Sequence, residues 1–135
     1  MPWPFQKETS NNNNMKTISL KEKFARFDKQ WHPHQIAAVN DMQVLLVKVQ
    51  GEFVWHSHEM EDELFMVLKG TLMMQFRDRT ETVKEGELIV VPRGVEHCPA
   101  TAEGEEVQLL LFEKQSIAHT GTVKDVRTLA RYPKI

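Results

Sequence analysis

Between Gln43 and Glu113 the chain alternates short apolar runs with glycine-marked breaks, and this rhythm constrains the fold more than any other feature. The runs are Gln43–Gln50, Leu64–Leu68, Thr71–Phe76, Glu87–Val91 and Glu106–Glu113; Gly51, Gly70, Gly86, Gly94 and Gly104 punctuate them. Apolar runs of this length, bounded by turn residues and recurring at short spacing, predict strands of an all-β barrel or sandwich. Lys69-Gly70, between two such runs, reads as a hairpin turn. Strands do not alternate with helices, and no glycine loop suited to phosphate is present, so a doubly wound nucleotide-binding sheet is disfavoured. No repeat of 20–50 residues is visible.

The flanks differ from this central block. Residues 1–14 hold two prolines and the run Asn11–Asn14. Such a tract cannot bury enough apolar area to offset its ordering entropy, so it is expected to be a disordered leader or a remnant of recombinant expression, with Met15 the natural start. Residues 15–135 are then a single domain. Ser19 to Asp28 predicts one short helix: Ser19 and Glu22 match a capping box, and Leu20, Phe24 and Phe27 share a face. The C-terminal tail from Lys114 is more polar and mostly irregular, with a helical turn or two expected over Asp125–Arg131.

Composition narrows the function classes. The chain has 135 residues and a formal net charge of −2, from 17 basic and 19 acidic side chains. Near-neutral charge offers no broad positive field for nucleic acid. No run approaches the ~18 apolar residues of a membrane span, and no secretory leader is recognisable. One cysteine, Cys98, excludes an intrachain disulfide and a multi-cysteine zinc knuckle. A cytoplasmic location is the expectation.

The chemistry concentrates in Gly51–Glu63 and Gly86–His97. His56 and His58 would share one face of a strand, where two imidazoles can hold one ion. Glu63 follows after four residues, and His97 adds a third imidazole behind the Pro92-Arg93-Gly94 turn. Three neutral imidazoles and a carboxylate can fill four positions around a divalent ion and leave others open for substrate. This donor set suits iron, manganese, nickel, copper or zinc. His32-Pro33-His34 has the same spacing but sits beside a proline ahead of the strands, and reads as surface or packing. Asp62 competes with Glu63 as the carboxylate.

The pattern G-x4-H-x-H-x4-E-x6-G, followed by G-x5-P-x-G-x2-H, resembles the two motifs of the cupin superfamily. The first motif is one residue shorter than usual between Gly51 and His56, and Thr101 stands where the second often ends in Asn. The resemblance implies an antiparallel jelly-roll β-barrel with His56, His58, Glu63 and His97 as metal ligands. It extends, from Leu20 through Gly121, to a group of small bacterial cupins labelled mannose-6-phosphate-isomerase-like, a label that rests on fold and fixes no activity.

Other residues carry weaker readings. Phe65, Phe76 and Phe112 are expected along the inner wall of a ligand pocket, and Arg93 is expected to meet an anionic group there. Trp55, opposite in parity to His56, belongs to a dimer interface or to ordinary packing. Cys98 reads as a small buried apolar residue. His119 has no partner at ligand spacing, and Tyr132 lies too near the end for a general acid. These features point to a metalloenzyme acting on a small molecule that coordinates the ion, by dioxygenase, isomerase or lyase chemistry. The alternatives are a non-catalytic binder of a sugar-like metabolite and, least favoured, a metal-free barrel. A homodimer is expected.

Overall fold

The computed structural model describes residues 15–115 and 132–135. Among these residues one short helix, α1 (Leu20–Phe24), precedes eight strands: β1 (His34–Val39), β2 (Met42–Val49), β3 (Glu63–Lys69), β4 (Thr71–Phe76), β5 (Thr80–Lys84), β6 (Leu88–Val91), β7 (His97–Ala100) and β8 (Val107–Lys114). They form two antiparallel sheets, ordered β1-β2-β8-β3-β6 and β5-β4-β7. The all-β architecture with a short N-terminal helix agrees with the sequence reading. Among the described residues no helix is long and apolar enough to cross a membrane.

Strand alternation builds the core between the sheets. Leu45, Val47 and Val49 of β2 face inward with Phe65 and Val67 of β3 and Val107, Leu109 and Leu111 of β8, against Leu72, Met74 and Val83 of the smaller sheet. β2 is buried on its outer side too, because α1 and the turn after it lie across it. Phe24 and Phe27 pack there on Leu46, and the Lys48 Nζ donates to the Phe27 carbonyl oxygen at 2.6 Å. The helix is shorter than the Ser19–Asp28 expectation. The Ser19 hydroxyl caps it as expected, accepting from the Glu22 N–H at 3.2 Å, but it ends at Phe24. Phe27 then leaves helical register to stack on His34 at 4.0 Å.

Three elements depart from the sequence reading. Gly70 does not close a hairpin: β3 and β4 lie in different sheets, so the chain turns a corner there. Its φ is +87°, and an added Cβ would lie 3.0 Å from the Val107 Cγ2. β1 begins at His34, where no strand was expected; it pairs with β2 around an irregularity between Gln35 and Ala37. β5 also escaped notice, because only Val83 among its residues is buried. Pro99 is tolerated in β7 because that strand is an edge of its sheet. Of the C-terminal tail, Pro133 and Ile135 hydrogen-bond to Gln35. His119, the Asp125–Arg131 turn and the leader lie outside the described residues.

Candidate metal centre

The two motifs meet through backbone pairing. His56 lies in the irregular stretch between β2 and β3, not on a regular strand, and forms a single antiparallel bridge with His97. The His56 N–H donates to the His97 carbonyl at 3.0 Å, and the His97 N–H returns the bond at 2.9 Å. The Gly94 N–H donates to the His58 carbonyl at 2.7 Å, pinning the Pro92-Arg93-Gly94 turn to the first motif. Glu63 opens β3 and faces inward. The His56 and His58 rings share a centre without strand alternation: they stand nearly perpendicular, with centroids 5.3 Å apart.

All four side chains are buried, and their ligating atoms lie within 4.8 Å of one another. The His58 Nε2 is 3.5 Å and the His97 Nε2 3.6 Å from the Glu63 Oε1. Two donors bound at 2.0–2.2 Å to one ion stand about 3–4 Å apart, so these separations fit a shared centre.

Hydrogen bonding fixes what the rings present. The His56 Nδ1 lies 2.8 Å from the Val54 carbonyl, and the His97 Nδ1 2.9 Å from the Val95 carbonyl. A carbonyl only accepts, so each Nδ1 carries the proton and each Nε2 is left with its lone pair. The His58 Nε2, His97 Nε2 and Glu63 Oε1 are buried without a hydrogen-bond partner. The lone pairs of the His97 Nε2 and the Glu63 Oε1 converge where water has been removed and repel one another, and a cation at the centre relieves both costs. The four residues therefore fit a divalent metal.

Electrostatics agree. Burial, reinforced by the neighbouring His97, pushes the His56 imidazole down to about 4. Burial alone would raise the Glu63 carboxyl, but hydrogen bonding from the side chains around it, His58 first, outweighs this and holds it below the ordinary carboxylate range. Neutral imidazole and ionised carboxylate are the forms that ligate.

Asp62 is set apart from the cluster. It is exposed, and its Oδ1 accepts from the Arg93 N–H at 2.9 Å. A narrow cavity, with about 30 Å³ of room for the centre of a water-sized molecule, reaches the centre at His56 and Glu63. Phe65 lines it, whereas Phe76, Arg93 and Phe112 do not. Phe76 borders a separate surface groove, Arg93 is exposed beside Asp62, and Phe112 alternates outward next to the lining residue Leu111. Trp55 stacks under the Arg77 guanidinium at 3.9 Å. Cys98 is fully buried, and His34 is buried against Phe27, in keeping with packing roles.

Sequence reasoning missed Glu113. The β8 alternation that turns Val107, Leu109 and Leu111 inward does the same to Glu113, and the signal was present in that parity. One step beyond the Leu64–Phe112 pair, it lies across from Glu63; across β2 it pairs with Gln43. Gln43, Glu113 and Glu63 thus form a buried polar row beside the centre. Burial, then the Glu63 charge, holds the Glu113 carboxyl well above its usual range.

Known proteins share this architecture. Over 79 residues the chain is 39% identical to the uncharacterized protein YdbB of Bacillus subtilis, a match covering 58% of this chain and 64% of YdbB, so less than two thirds of that relative is spanned. A cupin-2 domain containing protein from Shewanella frigidimarina is 46% identical, with a TM-score of 0.70 over 72% of this chain and 93% of that one. Protein NMB1881 from Neisseria meningitidis is 34% identical, with a TM-score of 0.65 over 73% of this chain and 99% of that one. The family model for the cupin domain matches residues 43–113, just over half of the chain and the span that carries all four buried ligating side chains. With that match, and with the two-sheet fold and its motifs in place, the chain belongs to the cupin domain family.

Proposed function

We propose that this cupin holds one divalent metal ion through His56, His58, Glu63 and His97 and acts as a metalloenzyme on a small organic molecule that coordinates the ion. The observation that carries the reading is the convergence of four buried ligating side chains, with the His58 Nε2, His97 Nε2 and Glu63 Oε1 lacking any hydrogen-bond partner. An ion bound there would supply Lewis-acid or redox chemistry of the dioxygenase, isomerase or lyase type. The Val54 and Val95 carbonyls hold the His56 and His97 rings in the ligating tautomer. Glu63 contributes the negative charge, and Glu113 keeps a proton on a carboxyl beside it. The apolar walls of the cavity exclude water from the reacting end.

The test is metal content by mass spectrometry, on protein purified without nickel resin and on chelator-stripped protein reloaded in turn with iron(II), manganese, nickel, copper(II) and zinc. One ion per chain is expected in wild type and in Asp62→Ala. His97→Ala and Glu63→Ala should lose the ion at least tenfold more readily. Equal retention by wild type and His97→Ala refutes the site. Loaded protein that binds a ligand without turnover or oxygen uptake, across catechols, keto acids and thiols, would make the chain a binding module instead.

A further inference from the structure

The cavity above the centre is lined almost wholly by carbon. Among the described residues, its only polar side chains that can reach a ligand are His56 and Glu63, both at the metal end. Trp31 also lines it, but its indole Nε1 already donates to the Gln50 carbonyl at 3.0 Å. No Lys or Arg is among the described lining residues. A sugar hydroxyl placed there would lose its water and find no partner, and a phosphate would be buried without a counter-charge.

The aromatic walls are held in place. Trp31 takes a φ of +56°, a backbone conformation that bulky residues rarely adopt. Its N–H donates to the Lys48 carbonyl at 2.8 Å, and its ring stacks on Phe53 at 4.6 Å and 15°. Phe53 in turn meets the His56 ring edge-on at 5.5 Å. A strained residue kept by two hydrogen bonds and a stack marks a wall whose position matters. Opposite it, Phe65, Leu109 and Leu111 complete an apolar sleeve ending at the two polar side chains.

Resting on the metal reading above, we propose that this cavity selects a small ligand that is polar at one end only: a single metal-chelating head joined to a flat hydrocarbon body, aromatic by preference. Sugars and phosphate esters are rejected. This separates the chain from phosphosugar chemistry, and Trp31 and Phe53 are its specificity-determining residues.

Two hydroxamates that share a head and differ in body test this. On protein shown to carry one zinc ion, benzohydroxamate should bind at least tenfold more tightly than acetohydroxamate by calorimetry, and mannose 6-phosphate should displace neither. Val49→Phe, which fills the sleeve, and Trp31→Ala, which removes a wall, should each erase most of that preference while leaving acetohydroxamate affinity within about threefold. If one variant fails to fold, the other carries the comparison. Equal affinity for the two hydroxamates, or tighter binding of mannose 6-phosphate than of benzohydroxamate, overturns the proposal. Failure of zinc to bind refutes the metal reading instead. The sleeve is then tested on metal-free protein, where p-cresol should quench tryptophan fluorescence in wild type and not in Trp31→Ala; absence of quenching in wild type overturns it there.

Discussion

Acidifying the metal-free protein should destabilise it through His56 by an amount the structure sets. In the folded chain burial keeps this imidazole neutral down to about 4, against an ordinary value of 6.5. Between those two values the unfolded chain binds a proton that the folded chain does not. Stability is therefore fully present above pH 6.5 and falls as the pH drops toward 4. The interval of 6.5 − 4 is 2.5 units, and at 1.36 kcal/mol per unit it amounts to about 3 kcal/mol. That is a large share of the roughly 5–15 kcal/mol that stabilises a domain. The depressed Glu63 carboxyl and the His32 and His34 imidazoles, whose values burial also lowers, lose stability in the same direction. The variant His56→Gln isolates the contribution. Urea unfolding of chelator-treated protein at pH 7.5 and pH 4 should show wild type losing about 3 kcal/mol more than His56→Gln on acidification. The same loss in both proteins would show that the His56 imidazole is not held neutral by the fold, and the account of its ligating form would fail with it.

Three further outcomes follow from the packing. Glu113 has the opposite sign: its raised value means the folded chain keeps a proton that the unfolded chain releases, so its contribution is complete below pH 4.5 and declines as pH rises. Glu113→Gln should therefore be more stable than wild type at pH 7.5 and nearly equal to it at pH 4 in metal-free urea titrations; an equal difference at both values counts against a proton on Glu113. Gly70→Ala should cost about 2 kcal/mol or more, since it adds backbone strain to contacts of 3.0 Å with the Val107 Cγ2 and 3.2 Å with the Glu106 carbonyl. Gly86→Ala, at a φ of +79° with open space around it, should cost only about 1 kcal/mol in thermal unfolding. Finally, Leu88 and Val90 of β6 are 54% and 47% exposed, and they continue outward-facing rows through Met66 and Leu64. A homodimer is expected to cover this face; sedimentation should give a dimer for wild type and a monomer for Leu88→Lys with Val90→Lys, and a monomeric wild type at micromolar concentration refutes it.

Much of the fold was legible because strand periodicity is a local property. Five runs of alternating or continuous apolar residues became β2, β3, β4, β6 and β8. β1 and β5 were not legible. The first begins directly after a proline, and the second buries only Val83, so both owe their conformation to the neighbours they pair with. The extent of α1 was overread because Phe27 is apolar at helical spacing yet packs as part of a turn. His34 shares the spacing of His56 and His58, and its place under Phe27 depends on the turn after α1, which the spacing of the histidines does not contain.

Residue type and spacing were enough to nominate three imidazoles and one carboxylate, because a metal site needs particular donors and motif spacing is preserved along the chain. Tertiary structure decided everything that depends on separate segments meeting. The backbone bridge between His56 and His97 joins the two motifs, and the corner at Gly70 sends β3 and β4 into different sheets. Cross-strand register sets Glu113 beside Glu63, while Phe76, Arg93 and Phe112 are carried away from the cavity that Trp31 and Phe53 enclose. Local pattern reports which face of its own strand a residue takes; only the closed pair of sheets fixes what that face looks onto.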